Sequence, residues 1–329
     1  MKDAALPRPE DFRPAPGLSN AHAQTIWSYY MRRRQTVDTT SEIWEMPDGD
    51  VLDVARLPAR PGRPLVVVLH GLEGSASAPY VRGMLACLAR AGWNGLALCM
   101  RSCGPTPSRQ GRLYHSGKTD EIDAVMNRLA LEHPDVPRGA VGFSMGGNML
   151  LKWLAERSAD APLDAAVGVS VPFDLGLCAR RLDRPGLVTT AYRERFLRSL
   201  RRKASRRLPA HGGDYRQEDV ARARSFALFD EHITARLFGF ASAEDYWRRN
   251  SSGAFLAQVR RPTLAIAACD DPFVPEAAIP REAITKNPHL ELWLTSRGGH
   301  VGFLGGTVMR PRFVAEELAM AFLSRQFQR

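Results

Sequence analysis

Residues Ala140–Arg157 read AVGFSMGGNMLLKWLAER: a short apolar run, a serine among glycines, and a longer helix-like segment. The first four residues predict a buried strand, and the residues from Met145 onward predict a helix. The turn between them carries the pattern GxSxG, with Gly142 and Gly146 on either side of Ser144. Glycine is expected at both positions because larger side chains would collide in a tight, strained turn. The turn places Ser144 at a helix N-terminus, where backbone N–H groups favour negative charge.

Strand-like and helix-like segments alternate on both sides of this turn. Strands are predicted at residues 64–70, 94–100, 165–171, 262–268 and 290–294, and helices at 80–90, 119–131 and 311–327. Runs such as PLVVVLH at 64–70 are typical of strands covered on both faces. Earlier in the chain, residues 41–46 and 51–57 flank a PDGD turn and predict a hairpin. The alternation predicts the α/β class, with a mostly parallel central sheet and helices on both faces.

One stretch, residues 172–253, interrupts this alternation. It is rich in arginine, contains no convincing strand, and is predicted to form several helices that cap a cleft. The expected organisation is a core of residues 1–171, a cap or lid of 172–253, and a second part of the core at 254–329. Residues 1–38 are expected to form an N-terminal arm, whose proline-rich beginning wraps on the surface. The charged run at 201–207 is expected mainly as a solvated helix face.

The composition limits the class of protein. The chain has 329 residues and 44% hydrophobic residues, enough for a large core, and it shows no signal-like or membrane-spanning run. Five cysteines without a CxxC pair indicate reduced thiols and no zinc site, so we expect a cytoplasmic protein without metal or organic cofactor. The net charge of +10 is not accompanied by any nucleic-acid-binding motif, and it leaves weak contact with an anionic membrane open. The oligomeric state is not predicted.

The serine requires a base, because a serine hydroxyl is a weak nucleophile until its proton is removed. In this fold the acid and then the histidine follow the serine along the chain. His300 lies in the segment RGGHVGF directly after the last predicted strand, and it is the predicted base. Asp270 and Asp271 both follow the preceding strand, and only one of two neighbours can face the histidine. Asp271 is favoured as the acid, while Asp270 stays an alternative whose other role is to order the loop.

A second loop is expected to stabilise the negative charge that develops during acyl transfer. The segment His70-Gly71-Leu72-Glu73-Gly74 follows the first buried strand. One oxyanion N–H comes from a loop at this point and the other from the residue after the nucleophile. We therefore assign the two donors to Leu72 and Met145. His70 is expected to hold the loop in shape and not to transfer protons.

With these segments identified, the chain resembles the YheT-like group of α/β hydrolases, an esterase and lipase family with the abhydrolase domain. The similarity covers nearly the whole chain, and it rests on FRP at 12–14, LSNAHAQT at 18–25, HGLEG at 70–74, YHSG at 114–117, GFSMGGN at 142–148, DDP at 270–272 and GGHVGF at 298–303. The resemblance implies an enzyme that hydrolyses short- to medium-chain acyl esters of small molecules through an acyl-enzyme. Alcohol O-acyltransfer and phospholipid cleavage by the same three residues remain alternatives, as does a non-catalytic small-molecule binder.

Overall fold

The central sheet has eight strands, which form from the apolar runs of the sequence. The computed structural model describes residues 6–211, 213–307 and 309–328. The strands are β1 (Thr40–Glu45), β2 (Val51–Arg56), β3 (Leu65–Leu69), β4 (Asn94–Leu98), β5 (Arg138–Phe143), β6 (Ala165–Val169), β7 (Thr263–Ala268) and β8 (Leu290–Thr295). They are arranged in the order β1-β2-β4-β3-β5-β6-β7-β8, with β2 antiparallel to both of its neighbours and the remaining pairs parallel. The predicted hairpin and mostly parallel sheet are confirmed.

Helices cover both faces of this sheet. Those of the core are α1 (Ala21–Arg32), α2 (Pro79–Arg90), α3 (Asp120–Glu132), α4 (Met145–Arg157), α11 (Arg281–Lys286) and α12 (Val314–Phe327). Side chains alternate along β3, so that Leu65, Val67 and Leu69 pack with α3 and α4, whereas Val66 and Val68 pack with α2 and α12. Every residue of β3 is buried, as a strand covered on both faces requires. The α/β class predicted from the alternation is therefore confirmed.

Between β6 and β7, all regular elements of the described residues are helical. They are α5 (Leu175–Asp183), α6 (Leu187–His211), α7 (Gln217–Arg222), α8 (Phe226–Phe229), α9 (Ala235–Phe238) and α10 (Ala243–Asn250). A π-helical turn, Asp230–Thr234, joins α8 to α9. These helices share an apolar cluster of their own, which reaches the core through Leu72 and Phe273. In the described part of the chain, no helix is both long and apolar enough to cross a membrane.

Three sequence predictions differ from the structure. The N-terminal arm is not only a surface wrap: it contains α1, which begins where the Asn20 side chain accepts hydrogen bonds from the N–H groups of His22 and Ala23. Residues 311–313, predicted as helix, form strand β10 (Pro311–Phe313), which pairs with β9 (Leu304–Gly306), so the last helix begins only at Val314. The run at 201–207 is not simply solvated, because Lys203 turns toward the core. Positions 1–5, 212, 308 and 329 of the predicted segments lie outside the described residues.

Candidate active site

The turn between β5 and α4 holds Ser144 in a strained backbone conformation. Its φ is 51° and its ψ is −122°, a region that costs a non-glycine residue about 1–3 kcal/mol. The backbone N–H of Ser144 donates to the Val169 carbonyl at 2.8 Å, which fixes the turn against the neighbouring strand. A Cβ at position 142 would lie 2.6 Å from the Gly146 oxygen, and one at position 146 would lie 2.5 Å from the His70 oxygen. Both glycines are therefore required by backbone contacts.

His300 lies between Ser144 and Asp271. Its Nε2 is 2.8 Å from Ser144 Oγ, and its Nδ1 is 2.8 Å from Asp271 Oδ2 and 3.1 Å from Oδ1. Because a carboxylate only accepts, Nδ1 carries the proton and Nε2 is free to accept the serine proton. The Asp271 carboxylate is buried and also accepts from the N–H groups of Phe273 and Val274 at 2.8 and 3.0 Å. The structure thus brings the three predicted side chains into one hydrogen-bonded chain.

The neighbouring carboxylate, Asp270, has a different partner. Its Oδ1 accepts a hydrogen bond of 2.9 Å from the backbone N–H of Gly299, the residue before His300. Partial burial raises the pKa of Asp270 above its ordinary value. Asp270 therefore ties the strand end to the histidine loop, while Asp271 faces the imidazole ring.

The two predicted oxyanion donors lie beside the serine. Leu72 and Met145 line the same cavity as Ser144 and His300. Within the described residues, no protein acceptor takes a hydrogen bond from the N–H of Leu72 or Met145. The Leu72 loop is fixed on both sides: Gly71 N–H donates to the Tyr80 hydroxyl and Glu73 N–H to the Tyr114 hydroxyl, each at 2.9 Å. Both N–H groups are therefore available to a ligand oxygen near Ser144.

His70 is fully buried beneath this loop. Its Nδ1 lies 2.7 Å from the Gly71 oxygen, and its Nε2 accepts from the Met100 N–H at 3.1 Å. Burial lowers the pKa of His70 to about 4, so the ring is neutral at physiological pH. Both ring nitrogens are engaged by the backbone, which leaves neither for proton transfer and lets the ring shape the loop.

A cluster of charged and polar side chains around Glu73 was not predicted. Glu73 Oε1 accepts from Lys203 Nζ at 2.8 Å and from the Tyr114 hydroxyl at 2.7 Å. Lys203 also lies 3.1 Å from the sulfur of the partly buried Cys103, whose pKa is raised to about 12 by desolvation. Helix α6 is thereby connected to the loop that carries Leu72. Glu73 and Tyr114 stand in the segments HGLEG and YHSG that carry the family resemblance, but nothing in the sequence connects either to residue 203.

Helix α1 was also missed, and its inner face holds the histidine loop. Thr25 Oγ accepts a 2.9 Å hydrogen bond from the His300 backbone N–H. Arg32 donates to the carbonyls of Val301 and Gly302 at 3.0 and 3.2 Å. These contacts matter because Val301, a β-branched residue, has a φ of 54°. A β-branched residue keeps a positive φ only where the surrounding contacts hold the backbone in that conformation.

Arg32 is itself held by a buried ion pair. Its Nε and Nη2 lie 2.5 and 2.9 Å from the two carboxylate oxygens of Glu316 on α12, and both side chains are about 1% exposed. The same N-terminal segment contributes Gln24, which exchanges hydrogen bonds with both the N–H and the carbonyl of Leu304. The histidine loop is thus fixed at both ends by α1.

Two cavities meet at Ser144. We call the first the cap cavity: it measures about 120 Å³ and is lined mainly by apolar side chains from α5, α6, α8 and α10, with Leu175, Phe226 and Trp247 among them. We call the second the α1 groove: it measures about 580 Å³ and runs between α1, the Leu72 loop and α6. Both include His300 in their walls. The two cavities share walls formed by Leu72, Phe196 and Phe273, so each gives access to Ser144.

No group of three or more His, Cys, Asp or Glu side chains suited to a metal ion occurs in the described parts of the chain. The polar groups that converge at Ser144 are a hydroxyl, an imidazole, a carboxylate and two backbone N–H groups. This is the donor and acceptor set of nucleophilic acyl transfer, in which the base takes the nucleophile's proton.

The fold and the arrangement at Ser144 define the class of protein. A family profile described as the alpha/beta hydrolase fold matches residues 64–307. The esterase Pf2001 of Pyrococcus furiosus superposes with a TM-score of 0.58 over 88% of this chain and 94% of that one, at 18% identity, which shows the shared fold. The chain belongs to the α/β hydrolases.

Sequence relatives narrow this to one group. The chain is 38% identical over 311 residues to YheT of Escherichia coli (strain K12), a protein whose name classes it provisionally as an esterase; the match covers 93% of this chain and 91% of that protein. It is 29% identical over 307 residues to the phospholipase ABHD3 of Mus musculus, covering 90% of this chain and 74% of the relative. The chain is a member of the YheT-like group, as the sequence motifs indicated.

Proposed function

We propose that this protein is a serine hydrolase that cleaves short- to medium-chain carboxylic esters, with Ser144 as nucleophile, His300 as base and Asp271 as acid. The observation that carries the proposal is the unbroken chain of hydrogen bonds from Ser144 Oγ through His300 to Asp271, with 2.8 Å on either side of the imidazole. The names of the relatives YheT and ABHD3, an esterase and a phospholipase, support the same reaction class.

In the first step, Ser144 Oγ attacks the ester carbonyl carbon while His300 Nε2 takes the hydroxyl proton. The N–H groups of Leu72 and Met145 stabilise the oxyanion, and Asp271 stabilises the imidazolium. When the carbon–oxygen bond to the alcohol breaks, His300 gives its proton to the leaving alcohol oxygen. Water then repeats the sequence against the acyl-enzyme: His300 accepts a water proton, the acid is released, and the proton returns to Ser144.

The two cavities suggest how such an ester is oriented. The cap cavity has an apolar lining, so we assign it the acyl chain, whose burial contributes about 0.8 kcal/mol per CH₂ group. The α1 groove is larger and carries polar groups such as Arg195, Ser75 and Ser77, so we assign it the alcohol part. In this reading residues 172–253 act as the lid that selects the acyl chain, and no metal or organic cofactor takes part.

A phospholipid ester is the second candidate substrate, because the α1 groove includes Arg195. This cation from α6 lies 5.3 Å from the Tyr29 ring and is exposed, so it can meet a phosphate without first losing an ion pair inside the groove. Transfer of the acyl group to an alcohol uses the same intermediate, and adding ethanol to the assay separates that outcome from hydrolysis by its product.

Labelling with a fluorophosphonate probe tests the nucleophile. The wild-type chain and the Ser158→Ala control should be labelled, and Ser144→Ala should not. A p-nitrophenyl ester series of increasing chain length then gives the acyl preference, with Ser144→Ala as background. Equal labelling of wild type and Ser144→Ala would refute the assignment, and a folded wild type that turns over no ester would revive the non-catalytic binder.

A further inference from the structure

The outer face of α1 is unusually apolar for a helix at the surface. Ile26, Trp27 and Tyr30 are 40, 51 and 53% exposed, and their spacing places them on one side of the helix. The opposite side carries the buried residues Gln24 and Arg32, which hold the histidine loop. A surface helix normally presents polar residues outward, and a contiguous exposed apolar patch marks an interaction site. We call Ile26, Trp27 and Tyr30 the α1 patch.

The α1 patch is continuous with the way to the nucleophile. Ile26 and Tyr30 line the α1 groove, whose walls also include Ser144 and His300. Because both residues are exposed, the groove opens to solvent beside the patch. A molecule that covers the patch therefore lies at the entrance through which an ester reaches Ser144.

The charged side chains that border α1 in the sequence are basic. Arg33 and Arg34 follow α1 directly and are exposed, and the Arg33 guanidinium lies 5.4 Å from the ring centres of both Tyr29 and Tyr30. No acidic residue occurs in the sequence between Asp11 and Asp38. Tryptophan and tyrosine beside arginine are typical of side chains at a membrane–water interface, with rings at headgroup level and cations on anionic lipids.

We propose that the α1 patch, together with Arg33 and Arg34, is a docking surface for anionic lipid aggregates. The proposal deepens the proposed function, since it rests on esters that reach Ser144 from a lipid surface. Docking itself needs no turnover, so the two can fail separately. A protein partner or a second copy of this chain fits the apolar side chains but gives no reason for the exposed arginines that directly follow α1.

The test is vesicle co-sedimentation with the Ser144→Ala chain, which cannot consume the lipid. Vesicles of phosphatidylcholine alone are compared with phosphatidylcholine mixed with phosphatidylglycerol. Binding is expected to the anionic vesicles and to weaken as salt rises. Trp27→Ser should weaken it about tenfold through the lost insertion of one large ring, and Arg33→Gln with Arg34→Gln should reduce both the binding and its salt dependence.

Matched controls carry the same changes elsewhere. Leu131→Ser removes an apolar side chain that is 84% exposed on α3, and Arg222→Gln with Arg224→Gln removes two exposed arginines from the cap. Both should bind vesicles like the parent. Trp27→Ser should leave the melting temperature unchanged. In the chain that retains Ser144, it should also leave the turnover of a soluble short-chain ester unchanged, which shows that the variant folds.

Three results would overturn the proposal: no binding to either vesicle, equal loss in the control variants, or a dimer in sedimentation analysis that Trp27→Ser dissociates. The last result would assign the α1 patch to a second copy of the chain. Failure of the proposed function has a different signature, in which anionic vesicles bind but the chain with Ser144 intact turns over no ester.

Discussion

Replacing Thr25 by valine should impair turnover through the loop that carries His300, although Thr25 also lines the α1 groove. Thr25 Oγ accepts from the His300 backbone N–H at 2.9 Å and donates to the Ala21 carbonyl at 2.8 Å. Valine has nearly the same shape but no hydroxyl, so the His300 N–H, in a buried residue, loses its acceptor. An unsatisfied group of this kind costs about 1–3 kcal/mol. The cost falls on the loop that positions the base.

If the lost hydrogen bond lets the imidazole move away from Ser144, its free-energy cost adds to the activation free energy of the reaction. At 1.36 kcal/mol per factor of ten, kcat for a p-nitrophenyl ester should fall about 5- to 150-fold. KM should change less than kcat, because valine keeps the shape of threonine where position 25 lines the α1 groove. Arg32 and Gln24 still hold the neighbouring residues, which is why we expect a slower enzyme and not an unfolded one.

The matched control is Thr25→Ser, which keeps the hydroxyl and loses only a methyl group. We expect it to restore most of kcat, whereas Thr25→Val should lower kcat far more than its change in melting temperature would explain. The assay is steady-state kinetics well below the melting temperature of each variant, with a fluorophosphonate labelling rate as a second readout of Ser144 reactivity. Valine and serine variants with equal kcat, or a valine variant that only melts earlier, would refute the positioning role.

Three further changes have defined outcomes. Gly146→Ala should abolish soluble expression or activity, since its Cβ would meet a backbone oxygen at 2.5 Å, whereas Gly305→Ala, whose nearest neighbours are 3.4 Å away, should retain both. Lys203→Met should lower kcat/KM about tenfold by leaving Glu73 buried without its cation, and adding Glu73→Gln should recover part of that loss in a double-mutant cycle. Burial raises the pKa of Asp230 from 3.8 to about 6. Between pH 4 and 6 the folded chain therefore binds more protons than the unfolded chain, and its stability falls as the pH rises through that range. The melting temperature of Asp230→Asn relative to wild type should therefore increase from pH 4 to pH 7, and a constant difference would contradict this.

Much of the fold could be predicted because its determinants are local. The strand at 65–69 is apolar at every position, and the turn at Ser144 requires glycine at 142, where a Cβ would meet the turn's own backbone at Gly146. The order of serine, acid and histidine along the chain, together with their places directly after predicted strands, selected three side chains that the structure brings together. The choice between Asp270 and Asp271 was harder, because two adjacent side chains differ mainly in the direction in which they point. That direction depends on the hydrogen-bond partners that the folded loops offer to each carboxylate.

The contacts that support the site could not be predicted, since each joins residues far apart in sequence. Thr25 and His300 are separated by 275 positions, and Lys203 and Glu73 by 130. The segment LSNAHAQT contributed to the family resemblance, and Asn20 within it could have been recognised as a helix N-cap. Nothing in the segment showed that the helix would contact the loop of His300. One helix thus holds the predicted base on its inner face and presents the α1 patch on its outer face. If lipid covers that patch, docking and catalysis share a single rigid element, so a change that loosens α1 should impair both, whereas Trp27→Ser should impair docking alone.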